Sequence, residues 1–223
     1  SRGISAQNAI NLTLINNTFL NETNFGISIT HSSNSNLTSQ LMSDFPALFA
    51  TGNGRNITGL YMNNVSNTFI TKLSMFRLTA ANTTGGGIPG TGFGIFTEKN
   101  QNNSFSHIWA ERINGGKPAS TAAATTGIPA GNATGLFSIN SNDSVFINTT
   151  IVGVTSFKGG EGGSDISTSP GGPGGFSTGL TLFNSFNNSF ANLSVRNISS
   201  GEGGLGSDDS SVGNGAGGNG GNG

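Results

Sequence analysis

Large apolar residues recur along this chain at fixed distances from a glycine that is itself followed by an aliphatic residue. That dipeptide stands at Gly3-Ile4, Gly26-Ile27, Gly59-Leu60, Gly94-Ile95, Gly135-Leu136 and Gly179-Leu180. With the six glycines as origins, position eleven holds Leu14, Leu37, Ile70, Phe105, Phe146 and Phe190. Position sixteen holds Phe19, Met42, Met75, Ala110, Ile151 and Val195, and position nineteen holds Glu22, Phe45, Leu78, Ile113, Val154 and Ile198. Only Glu22, in the first copy, breaks this apolar pattern, so the chain reads as one unit repeated. Within each copy, positions one and three and again fourteen and sixteen alternate with polar neighbours, the period of a strand with one buried face. Each copy therefore predicts at least two short strands joined by a corner.

One copy has a single layer of side chains and closes no core alone. Copies stacked at the strand spacing of about 4.8 Å do, and six of them would rise about 29 Å. The sharpest polar column lies eight residues after the glycine: Asn11, Asn34, Asn67, Asn102, Asp143 and Asn187. Asn and Asp make up 35 of 223 residues, so a full column has chance odds of roughly one in tens of thousands. Such a column is expected to form a buried asparagine ladder at one corner, each amide donating to the carbonyl of the next. Glycine at the origin suits either a corner with positive φ or a close backbone approach. The segments are dense in Asn, Ser, Thr and Gly, all weak helix formers, which disfavours a helical solenoid. The expected fold is all-β, a parallel β-helix of about six coils.

Between position nineteen of one copy and the next glycine, the connection lengthens along the chain: 3 residues after Glu22, 13 after Phe45, 15 after Leu78, 21 after Ile113 and 24 after Val154, with 25 from Ile198 to the end. All leave from one corner. The later ones are glycine-rich, as at 84–87, 159–163 and 171–175. Two readings stay open for them: flexible linkers, or extended polyproline-II-like segments packed on each other. Residues 1–200 are thus expected to form the β-helix with embedded loops, and 201–223 a Gly/Ser/Asn-rich tail or the start of a further loop. That tail offers no polar cap, so either more chain or a neighbouring subunit is expected to stack on the end.

Composition narrows the function. There are 9 Lys+Arg against 10 Asp+Glu and a net charge of −1, which leaves no electrostatic footprint for nucleic acid or anionic lipid. Cysteine is absent, excluding a disulfide scaffold, a thiolate metal site and a cysteine nucleophile. No apolar run approaches the ~18 residues of a membrane span. The chain opens at Ser1 without an initiator Met or a leader pattern and reads as a mature or excised piece.

The segments Ile15-Asn16-Asn17-Thr18-Phe19, Asn102-Asn103-Ser104-Phe105 and Asn187-Asn188-Ser189-Phe190 resemble the right-handed parallel β-helix repeats of the pectin-lyase-like superfamily. They are closest in character to the Asn/Thr-rich coils of archaeal adhesin-like surface proteins. The resemblance covers roughly residues 3–200 and is to a repeat grammar. It implies a right-handed coil, and it bears on function only weakly.

Fourteen Asn-X-Ser/Thr sequons are present, about double the ~7 expected by chance from composition. Asn16, Asn148 and Asn192 share position thirteen, flanking an inward place and so expected to face outward; Asn21 and Asn197 share position eighteen. These five, with Asn36, Asn56, Asn64, Asn82, Asn132 and Asn142, are the expected N-glycosylation sites. Asn11, Asn102 and Asn187 fall in the ladder column and are expected to stay unmodified, because a buried amide cannot carry a bulky glycan.

The enzymes of the resembled superfamily, lyases and hydrolases of acidic polysaccharides, use clustered Asp beside Arg or Lys. Here Asp44, Asp143, Asp165, Asp208 and Asp209 fall in different copies or loops, and the one pair lies in the tail. No catalytic residue, metal site or cofactor is expected. Residues 203–208 match the start of a Ca²⁺-binding nonapeptide, but Ser210 replaces the required aliphatic residue and no second copy follows. His107, Trp109 and Glu111 alternate with Ile108 and Ala110, which would place them together on an outer strand face where the indole could stack on a sugar ring.

These features point to a structural extracellular or cell-surface glycoprotein module, self-associating into a filament or array by end-to-end stacking. An adhesin or carbohydrate-binding module is the alternative, and a polysaccharide lyase or hydrolase the second alternative.

Overall fold

The computed structural model describes residues 3–22, 24–46, 49–84, 87–118, 127–161 and 170–205. Its strands follow the repeat. The first turn of chain gives β1 (Ile4–Gln7), β2 (Thr13–Ile15) and β3 (Thr18–Leu20); the second gives β4 (Phe25–Ser33), β5 (Asn36–Phe45) and β6 (Phe49–Ala50). The third supplies β7 (Ile57–Ser66), β8 (Phe69–Thr79) and β9 (Asn82–Thr83). After these come β10 (Gly92–Glu98) and β11 (Ser104–Asn114), β12 (Ala133–Ile139) and β13 (Val145–Thr155), and β14 (Ser177–Phe183) and β15 (Ser189–Ser199). All pairing between named strands is parallel, and each strand lies over its counterpart one turn away. The first sheet runs β1-β4-β7-β10-β12-β14; the second runs β15-β13-β11-β8-β5-β2, with β3 also on β5. The chain is therefore a parallel β-helix-like solenoid. No helix among the described residues is long and apolar enough to cross a membrane.

Register decides what is buried. Ile4 pairs with Ile27, Ile27 with Leu60, Leu60 with Ile95, Ile95 with Leu136 and Leu136 with Leu180, so one inward column runs the length of the first sheet. Across the interior, Leu37, Ile70, Phe105 and Phe146 are buried in the position-eleven column. There the Phe105, Phe146 and Phe190 rings stack at 4.4 and 4.8 Å, nearly parallel. Like residues over like give Phe146 a ring on both sides, each pair worth about 0.5–1.5 kcal/mol beyond the area buried.

The origin glycines resolve toward close approach. None has positive φ; the one positive-φ glycine among the described residues is Gly153. A Cβ on Gly59 would stand 2.6 Å from Met75 Sδ and 2.8 Å from the Gly94 carbonyl oxygen. Glycine is thus what lets the first sheet approach the position-sixteen residues of the second.

The corners are made by other residues. Every positive-φ residue among those described falls five, eight, thirteen or eighteen places after an origin glycine, and all four columns are complete over the six turns. This left-handed conformation costs an ordinary L-residue roughly 1–2 kcal/mol and is best tolerated by Gly, Asn and Asp. Fourteen of the non-glycine members are Asn and two are Asp. Asparagine is abundant here because four corners per turn need it.

The glycine-rich connections bond to one another. Gly90 N–H donates to Ala81 O at 3.0 Å, Gly116 N–H to Gly90 O at 2.9 Å and Gly131 N–H to Gly116 O at 3.0 Å. Further along, Gly160 donates to Ile128 O, Gly172 to Gly160 O and Gly204 to Gly172 O, each at 2.7 Å. A Cβ on Gly131 would overlap the Gly90 carbonyl oxygen, so the segments touch backbone to backbone. Of the two readings of the connections, the described parts form the packed one: Gly116, Gly131, Gly160 and Gly172 are all buried. The start of the tail, Gly201 and Gly204, joins this bundle by bonding to Gly175 O and Gly172 O. Residues 206–223, with the nonapeptide-like Ser207-Asp208 and the pair Asp208-Asp209, lie outside the described residues, as does Asp165.

Candidate functional site

The expected buried ladder is displaced from its column. Asn11, Asn34, Asn67, Asn102 and Asn187 are exposed and Asp143 is half-buried; all six sit at left-handed corners with φ between 51° and 59°. One rung is present, Asn102 Nδ2 donating to Asn67 Oδ1 at 2.7 Å, and it lies on the surface. The physical reason is that the corner itself selects Asn through its backbone, and the left-handed turn aims that side chain outward.

Amides turned into the stack occupy positions six and nine instead, Asn100 and Asn103 buried and Asn188 half-buried. Asn103 Oδ1 accepts the Thr68 N–H at 2.9 Å while its Nδ2 donates to Val65 O at 3.0 Å. Asn100 does the same to Val65 N–H (2.7 Å) and Met62 O (3.1 Å), and Asn188 to Ser144 N–H (3.0 Å) and Ser141 O (3.0 Å). Each amide thus clamps the donor and acceptor that flank one left-handed residue of the preceding turn: Asn67, Asn64 and Asp143 in these three cases. Where Ser stands at position six, its hydroxyl accepts the N–H of the preceding turn. Ser141 Oγ accepts the Asn100 N–H at 3.2 Å and donates to Ile139 O at 3.0 Å. A buried backbone N–H or C=O left unpaired costs about 1–3 kcal/mol, so these side chains make the corners affordable inside the stack.

The expected modification sites face solvent to different degrees. Asn16, Asn21, Asn36, Asn56, Asn64, Asn132, Asn148, Asn192 and Asn197 are exposed; Asn82 and Asn142 are half-buried. Several use Oδ1 to tie turns together: Asn56 accepts the Thr91 N–H at 2.8 Å, Asn82 the Lys117 N–H at 2.7 Å, Asn132 the Phe176 N–H at 2.9 Å and Asn142 the Phe186 N–H at 2.9 Å. Such bonds leave Nδ2, the atom that carries a glycan, out of the contact. Asn192 Nδ2 is instead engaged by Asn148 Oδ1 at 2.9 Å. Burial no longer sets Asn11, Asn102 and Asn187 apart, since all three are exposed.

His107, Trp109 and Glu111 turn outward from β11, with Ile108 and Ala110 buried between them. Trp109, 37% exposed, donates its indole N–H to Glu111 Oε2 at 3.1 Å. His107 has φ 55° and occupies a corner, and its Nε2 lies 3.2 Å from Asn148 Nδ2 on the next turn. Trp109 stands between Ser74 and Thr150 on the neighbouring strands.

Charge is sparse on the surface. Asp44 and Arg77 form a two-point pair, with Arg77 Nη2 at 2.8 Å from Asp44 Oδ2. The bond from Arg77, with a second from the Ser43 hydroxyl, holds the Asp44 carboxyl down to about 2. The same pairing raises the pKa of Arg77. No group of three or more His, Cys, Asp or Glu among the described residues is placed to hold a metal.

Sequence reasoning missed a cleft of about 420 Å³ between the fourth and fifth connections. Pro118 and Phe157 wall it, and Lys117, Lys158 and Glu161 stand around it, Lys158 Nζ being 3.5 Å from Glu161 Oε1. Only stacking brings these two connections together, so no local motif announces it.

No family model matches the chain, and no curated protein does. Among solved structures, the chain is similar to one described as "Structure of QnrB1 (Full length), a plasmid-mediated fluoroquinolone resistance protein". The match has 9% identity and a TM-score of 0.17, and covers 84% of this chain and 93% of that one. At that score the likeness carries no argument about function.

Proposed function

We propose that the chain is a structural module of an extracellular or cell-surface glycoprotein, and that it self-associates into a filament. In this reading it is akin to the Asn/Thr-rich β-helix coils of archaeal adhesin-like surface proteins, within the wider pectin-lyase-like repeat grammar. The supporting observation is that exposed sequon asparagines line up on outer corners: Asn16, Asn148 and Asn192 in one column, Asn21 and Asn197 in another. Glycans there would form stripes along the solenoid without disturbing its core. Sequon number alone says less, because nine of the fourteen sequon asparagines occupy left-handed corners that favour Asn anyway. The test is the intact mass of the chain from its native source before and after enzymatic or chemical deglycosylation. The reading expects a mass that falls on treatment; the same mass in both samples refutes it.

A carbohydrate-binding role is the second reading, favoured by the part-exposed Trp109 ring held in place by Glu111. It requires saturable glycan binding that is lost on Trp109→Ala.

A further inference from the structure

We infer that the C-terminal end of the solenoid docks onto the N-terminal end of a second copy, with Phe186 of one chain beneath Ile10 of the next. The inference rests on the filament reading above and names its partner and geometry. Among the described residues, β1, β2 and β3 at the first end are paired on one side only, and so are β14 and β15 at the other. These edges are templates for further pairing. Because every ladder is parallel, a continued stack keeps strand direction only if unlike ends meet. That contact is heterologous and does not close, so it propagates as a filament.

Position seven carries the most specific sign. Inside the solenoid this column is Ser33, Ser66, Gln101 and Asn142, all polar. Only the terminal turns place large apolar residues there, Ile10 and Phe186, which are 72% and 66% exposed. The column is a true stack, since parallel bridges join Ile10 to Ser33, Ser66 to Gln101 and Gln101 to Asn142. An end-to-end copy would set Ile10 on Phe186 in the same register and cover the faces they turn to each other. Along the rest of the edge Ile4 falls on Leu180, Leu14 on Phe190 and Phe19 on Val195, while Glu22 falls on Ile198. The interior of the second sheet is only half-closed at that end, where Phe190 and Ile198 are partly buried and Val195 is exposed. The corner columns also continue, Asn8 over Asn184, Asn11 over Asn187, Asn16 over Asn192 and Asn21 over Asn197, all left-handed. At these positions the coil-to-coil contacts within the chain are continued between chains.

The experiment uses the 223-residue chain and two variants, Ile10→Asp and Phe186→Asp, each checked for an unchanged circular dichroism spectrum and followed by light scattering across concentration. The wild type is expected to form species that grow with concentration, and each variant alone to be monomeric. Each variant keeps one intact end, so an equimolar mixture is expected to form a species of twice the monomer mass and nothing larger. Growth of either variant like wild type, or a mixture that stays monomeric while the wild type grows, overturns the docking geometry and leaves the filament reading standing. A wild type that is monomeric at every concentration overturns both.

Discussion

Replacing Asn103 by Ala removes a clamp from the middle of the stack. Its side chain is 1% exposed and satisfies two backbone groups of the preceding turn, the Thr68 N–H at 2.9 Å and the Val65 carbonyl at 3.0 Å. Alanine reaches neither: the Thr68 N–H is left unpaired, at a cost of about 1–3 kcal/mol, while the Val65 carbonyl keeps the Gln101 N–H at 3.0 Å. A loss of ~2 kcal/mol corresponds in a chain of this size to a fall of roughly 5 °C in Tm. The neighbouring substitution Asn102→Gly is the control. It keeps the left-handed corner, loses one surface bond to Asn67 and is expected to cost about 1 kcal/mol. The assay is denaturant unfolding of both variants, together with hydrogen exchange at the Thr68 amide, which should quicken in Asn103→Ala and stay slow in Asn102→Gly. If Asn102→Gly proves as destabilising as Asn103→Ala, or if the Thr68 amide stays protected in both, the clamp is assigned to the wrong column.

Two further outcomes follow from the geometry. Gly131→Ala should destabilise the glycine bundle by about 1–3 kcal/mol, because its Cβ meets the fixed backbone of Gly90 and Gly116 rather than a movable side chain. Faster exchange at Gly116 and Gly131, with the Phe105 and Phe146 turns unaffected, checks it. The Asp44 carboxyl has a folded pKa of about 2, below the ordinary 3.8. Its pairing with Arg77 therefore supports the fold fully above pH 4, and that support is lost as the pH falls through 2. Asp44→Asn should remove this dependence, so that the stability difference between wild type and variant shrinks between pH 4 and pH 2, as read from denaturant midpoints at each pH.

The repeat and its core were legible because apolar residues that stack on like residues keep both spacing and character. Leu37, Ile70, Phe105 and Phe146, or Phe45, Leu78, Ile113 and Val154, could be aligned by eye and are all buried. The polar columns were harder, because two physical demands select the same letters. A left-handed corner and an inward clamp both favour Asn, and only the corner is uniform enough to look like a column. Position nine reads Ser35, Thr68, Asn103, Ser144 and Asn188: the two Asn clamp the preceding turn, while the hydroxyls of Ser35, Thr68 and Ser144 donate to the carbonyl two residues back in their own turn. Contacts among the glycine connections, and the cleft beside Phe157, depend on residues tens of positions apart and leave no local signature.

The corner from which the connections leave also bears on how such a chain can change in length over generations. From Gly26 to Gly59 is 33 residues and from Gly135 to Gly179 is 44, yet the stacked columns keep step across both. Unequal crossing-over that begins and ends at equivalent glycines would add or delete one whole turn while every surviving residue kept its neighbours. Lineages could thus lengthen or shorten the rod by genetic duplication, and vary what projects from it, without redesigning its interior.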